Sequence, residues 1–156
     1  MASVAFREGG YQMATGGVDY DTNVIKVALV MTNYNGTVDS ATLSAITVLD
    51  EMDGSGFTWG HGNTGRKTFA TAAVVKDTSA RVDFESGEAS TTWASLGAGT
   101  RSVQGALIHK EGAANDTTAY CIAFAEFGAA AAANGQDFVV NWDSGTTQDV
   151  MRWTFT

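Results

Sequence analysis

Phe138-Val139-Val140-Asn141-Trp142-Asp143 alternates apolar and polar side chains with a period of two, and so do Arg81-Val82-Asp83-Phe84-Glu85 and Met151-Arg152-Trp153-Thr154-Phe155-Thr156. A period of two places one face of an extended chain in a core and the other in water. Glycine turns punctuate these stretches, and the chain contains no proline. Working outward, Val24 to Met31 is β-branched with a single charge, Lys26. Ile25, Val27, Leu29 and Met31 line one of its faces and Val24, Ala28 and Val30 the other, so this strand is expected inside its sheet, buried on both sides. Thr68 to Lys76, Ala80 to Glu85, Thr91 to Leu96, Val103 to Lys110, Thr118 to Phe127, Asp137 to Trp142 and Val150 to Phe155 also read as strands. The last two are expected to pair with each other through Asp143-Ser144-Gly145.

About eight short strands separated by turn signals predict an all-β fold, an antiparallel two-sheet sandwich with a possible jelly-roll path. Phe84, Phe124, Phe138, Trp142, Trp153 and Phe155 fall on one alternating face of their strands and are expected to share one core. One short helix is expected near 40–47, where Leu43 and Ile46 recur at three and Asp39 or Ser40 can cap the start. The alanine run after Gly128 is expected to be a loop or a single turn, being too short to sustain a helix. Residues 1–156 read as one domain, and residues 1–17 as a possible N-terminal arm carrying Phe6 and Tyr11 between glycine pairs.

The chain carries 9 Lys plus Arg against 17 Asp plus Glu, a net charge of −8. Such a balance repels phosphate backbones, and Arg66-Lys67 is the only adjacent basic pair, so nucleic acid is not an expected partner. No apolar run approaches the length of a transmembrane helix, and the start has no signal-peptide architecture, so a soluble chain made in a cytoplasm is expected. The lone Cys121 has no internal disulfide partner and sits among apolar residues, the setting of a small buried hydrophobe.

Motifs that resemble chemistry fail on context. Gly60-His61-Gly62-Asn63-Thr64-Gly65 has the letters of a phosphate-cradling glycine loop, but it runs into a strand instead of a helix N-terminus. Asp19-Tyr20-Asp21-Thr22-Asn23 imitates the start of a calcium loop, yet valine stands where the glycine and the closing glutamate belong, which leaves an Asx-rich turn. His61, His109 and Cys121 lack metal-ligand spacing, and no nucleophile elbow exists. No catalytic residue, cofactor or metal site is therefore expected. Trp59, Trp93 and Tyr34 lie in or beside glycine-rich turns, where aromatics either stack on sugars, anchor partner proteins or cap the ends of the core.

Several stretches taken in order resemble a family of small structural proteins of tailed-bacteriophage virions. They are Gly17-Val18-Asp19-Tyr20-Asp21-Thr22 leading into Ile25-Lys26-Val27-Ala28-Leu29-Val30, Leu49-Asp50-Glu51 before Gly56-Phe57-Thr58-Trp59-Gly60, then Arg81-Val82-Asp83-Phe84 and Thr92-Trp93. Ala106-Leu107-Ile108-His109-Lys110, Ile122-Ala123-Phe124 before Phe127-Gly128, and Phe138 to Asp143 complete the set. The resemblance spans the chain from about residue 9 onward. It implies a non-enzymatic virion component without a cofactor, assembled in the bacterial host cytoplasm. The implied role is capsid decoration (cement) on the outer head surface, as a homo-oligomer with the major capsid protein as partner. A tail-tube or tail-tip component and a carbohydrate-binding adhesion module are the alternatives. Phe6, Tyr11, Tyr34 and Trp59 are the candidate partner-interface residues.

Overall fold

The computed structural model describes residues 2–69, 72–77, 81–142 and 149–154. The chain is an all-β protein built from antiparallel sheets. Ten strands are described: β1 (Ala2–Ala5), β2 (Ile25–Met31), β3 (Lys67–Thr68), β4 (Ala73–Asp77), β5 (Arg81–Glu85), β6 (Ser90–Leu96), β7 (Val103–Lys110), β8 (Cys121–Ala131), β9 (Gln136–Asn141) and β10 (Asp149–Thr154). They form a five-stranded sheet in the order β1-β8-β7-β2-β3, a three-stranded sheet β10-β5-β4 and a pair β6-β9. One α-helix, α1 (Arg7–Thr15), follows β1.

β2 lies inside the large sheet, flanked by β7 and β3, and is buried along nearly its whole length, as its two-sided apolar pattern requires. Ile25, Val27, Leu29 and Met31 enter a first core with Phe84, Trp93, Leu96, Val140 and Trp142 from the smaller sheets, which joins the layers. Val30 and Leu107 face a second core with Phe6, Leu43, Ile46, Ala119 and Cys121. Cys121 is thus the small buried hydrophobe its surroundings require.

Five expectations change. The aromatic residues do not share one face, because Phe124 packs on the second core while Phe84 and Trp142 lie in the first. The side chains of Trp153 and Phe155 lie outside the described residues. β9 pairs with β6 and β10 with β5, so the last two strands are not a hairpin. The helix expected at 40–47 is a single 3-10 turn, Leu43–Ala45. The alanine run continues β8, because Ala131 pairs with Val103 across the sheet and the ladder outweighs alanine's helical preference. The N-terminal segment is not a free arm: Ala2–Ala5 pair with Ala123–Glu126 of β8, and Phe6 is only 3% exposed.

The helix α1 follows Phe6 and stops at Gly16 in the left-handed conformation, φ 81°. Glu8 in its first turn faces the positive end of the helix dipole and accepts from Gln12 Nε2 one turn later at 2.7 Å. Gly9 is buried, and a Cβ there would sit 2.5 Å from the Cys121 carbonyl oxygen. The helix can lie this close to β8 only because residue 9 has no side chain.

Candidate functional site

The glycine loop after Trp59 positions the most exposed large aromatic side chain described. Gly60 and Gly62 adopt φ 92° and 73°, which turns their backbone N–H groups inward. Gly60 N donates to Glu51 Oε2 and Gly62 N to Glu111 Oε1, both at 3.2 Å. His61 Nε2 lies 2.9 Å from the Gly112 carbonyl oxygen, and Asn63 Nδ2 donates to the Trp59 carbonyl at 2.6 Å. The donors that would cradle a phosphate are therefore occupied by the chain's own carboxylates, and the loop leads into β3, not a helix.

Beneath the loop lies a buried ion network. The Arg66 guanidinium is sealed from solvent and makes two hydrogen bonds to Glu51, at 2.8 and 2.7 Å, and two to Asp116, at 2.6 and 2.9 Å. Burial alone would lower its pKa, but the Glu51 and Asp116 hydrogen bonds outweigh this and keep it charged. The hydrogen bond from Arg66 in turn holds the Asp116 carboxyl below its ordinary range, against the opposing effect of burial. Glu111 faces Lys26 Nζ at 3.2 Å, His61 Nε2 at 3.5 Å and His109 Nε2 at 3.5 Å. Burial pushes its pKa up, but the His109 contact and the Lys26 charge outweigh it and bring the carboxyl down to about 2.

Both histidines thus meet one carboxylate, a juxtaposition that their separation in sequence conceals. His109 also stands opposite Cys121 across the sheet. Burial, with a smaller contribution from Asp116, pushes the Cys121 thiol up to about 12, so the pair does not supply a thiolate nucleophile. Among the described residues no group of three His, Cys, Asp or Glu side chains is arranged to hold a metal ion. The Asp19-to-Asn23 segment is an Asx turn: Asn23 Oδ1 accepts from Asp19 N at 2.9 Å and Asp19 Oδ1 from Asp21 N at 3.2 Å. What the network does is fix geometry. It ties the Trp59 loop, β2 and the β7–β8 turn into one rigid corner.

The four candidate interface residues divide. Phe6 is withdrawn, because it is buried in the second core. Tyr34 is half-buried and packs on Phe124 with ring centroids 4.9 Å apart. Tyr11 is 60% exposed on α1 and Trp59 64% exposed on its loop. Trp93 is a core residue whose Nε1 donates to the Gly65 carbonyl at 2.6 Å. Trp59 walls a recess of about 380 Å³ with Leu49, Asp50, Glu51 and Asp53. Asp50 is clamped by Arg101 and by Asn33 N, and Asp53 by the Thr100 N–H and hydroxyl. The sequence reading missed Arg66, Glu51 and Asp116 as a unit. The one local signal was an isolated arginine directly after a glycine loop. No protein-family model, curated protein or solved structure matches the chain.

Proposed function

We propose that this protein is a non-enzymatic structural component of a tailed-phage virion, a decoration protein that adheres as an oligomer to the outer head surface, with the major capsid protein as its partner. The observation that carries the reading in the structure is Trp59, held outward on a loop whose backbone is bonded to Glu51 and Glu111. An exposed aromatic on a rigid mount loses little freedom on binding, which is what an interface anchor needs. The ordered resemblance to small virion proteins supports the same reading, as does the net charge of −8, which suits an outer surface bathed in water more than one facing packaged DNA.

Binding of the purified protein to undecorated heads tests it. Wild type is expected to saturate the heads, and Trp59→Ala to bind about 30-fold more weakly with an unchanged melting temperature, the size of a hot-spot truncation. Incorporation into tails with no binding to heads would refute the decoration role. A second reading rests on the recess beside Trp59, whose carboxylates and indole face resemble a sugar-stacking surface. A glycan array distinguishes it by a signal that disappears in Trp59→Ala.

A further inference from the structure

A separate cavity of about 420 Å³ opens between the C-terminal end of α1 and the three-stranded sheet, lined by Met13, Ala14, Val18, Tyr20, Val74 and Phe84, with Gly16 and Asp19 at its margin. Its volume falls within the range of small-molecule sites. The walls are fixed. Val18 N donates to the Gln12 carbonyl at 3.0 Å, Lys110 Nζ to the Gly17 carbonyl at 2.8 Å, and Val74 N to Asp21 Oδ1 at 2.6 Å. A Cβ built on Gly16 meets nothing within 4 Å, so the mouth is open there.

Tyr20 is only 2% exposed, and its ring stands edge-on to Phe84 with centroids 5.4 Å apart. Its hydroxyl has no hydrogen-bond partner among the described residues. A buried hydroxyl without a partner is costly, and one that lines an apolar cavity is a donor waiting for an acceptor. Burial, reinforced by Asp21, raises its pKa well above the ordinary phenol value, so it remains a neutral donor. Asp19 and the carbonyl end of α1 both place negative potential at the margin, which disfavours anions.

From this geometry we infer that the cavity binds an uncharged, mainly apolar small molecule through one hydrogen-bond acceptor, which takes the Tyr20 hydroxyl while Met13, Val18, Val74 and Phe84 enclose the apolar body. This site is independent of the Trp59 surface.

Fluorescence titration of the intact protein with prodan, a neutral naphthyl ketone, tests the inference. One saturable site per chain is expected. Ala14→Trp fills the cavity from an exposed position and is expected to weaken binding at least tenfold. Tyr20→Phe is expected to weaken the ketone about 2–10-fold, the worth of one neutral hydrogen bond, and to leave unchanged the binding of dimethylaminonaphthalene, which lacks the carbonyl. Near-ultraviolet circular dichroism verifies that each variant keeps its core. Absence of saturable binding overturns the inference, and so does saturable binding that Ala14→Trp leaves intact. Equal weakening of both probes by Tyr20→Phe removes the hydroxyl from the recognition.

Discussion

Replacing Arg66 with methionine is the sharpest test of the buried corner. The substitution keeps most of the side-chain volume but deletes four hydrogen bonds and a positive charge between two carboxylates. Glu51 is then left 5% exposed and Asp116 26% exposed, facing each other without a cation. Removing one partner of a buried ion pair costs about 3–5 kcal/mol, because the desolvated charge left behind is uncompensated. For a domain of this length that is a melting-temperature drop of roughly 6–20 °C. Urea unfolding followed by tryptophan fluorescence at pH 7 measures it. The triple variant that also carries Glu51→Gln and Asp116→Asn is expected to recover much of the loss, since it removes the stranded charges. A loss below about 1 kcal/mol for Arg66→Met is the value of a solvent-exposed pair and would refute the burial of the network.

Two further outcomes are expected. Glu111→Gln is expected to destabilise the protein at pH 7 by roughly 1–3 kcal/mol, the range for a lost charged hydrogen bond. Because the folded-state pKa of Glu111 is depressed from 4.5 to about 2, its contribution is present above pH 4.5 and is lost as the pH falls toward 2. Urea midpoints of wild type and variant are therefore expected to converge over that window, and a gap that stays constant counts against the assignment. Gly9→Ala raises helix propensity by about 1 kcal/mol, yet its Cβ meets the Cys121 carbonyl oxygen at 2.5 Å and the Ile122 Cα at 2.9 Å. Overpacking against backbone costs about 1–3 kcal/mol, so a net loss of stability is expected, and a higher melting temperature would show that α1 does not press on β8.

Strand identity was legible in the sequence wherever burial imposes a local period. β7 (Val103–Lys110) falls on the residues its pattern marks, and the faces of β2 divide as its apolar residues divide. Partnership was not legible, because a strand's neighbour is chosen by non-local packing. Nothing within Gln136–Asn141 says that it pairs with Ser90–Leu96 in preference to the strand that follows it. The helix α1 was hidden for a different reason. Arg-Glu-Gly-Gly-Tyr-Gln-Met-Ala-Thr has two glycines and no apolar stripe, and its stability comes from docking Phe6 and the bare face of Gly9 against the sheet. The ion network was hidden by distance: Arg66 meets Glu51 from 15 residues away and Asp116 from 50.

The acidic composition itself acquires a structural explanation. A chain without proline has no rigid residue to stiffen its loops, and a loop's backbone N–H groups still need partners. Carboxylates fill both needs here. Asp19 accepts from Asp21 N, Asp21 from Val74 N and Asp50 from Asn33 N. Glu51 accepts from Gly60 N, Asp53 from Thr100 N, Glu111 from Gly62 N and Asp137 from Ser95 N. Each bond is charge-assisted and fixes a turn or spans two segments. The same composition that reads as simple repulsion of nucleic acid therefore builds the rigid turns on which the Trp59 surface depends. It also accounts for the glycine loop, where backbone donors suited to an anion meet Glu51 and Glu111 from the chain itself, so that an anion-binding geometry becomes a means of holding an aromatic side chain in the solvent.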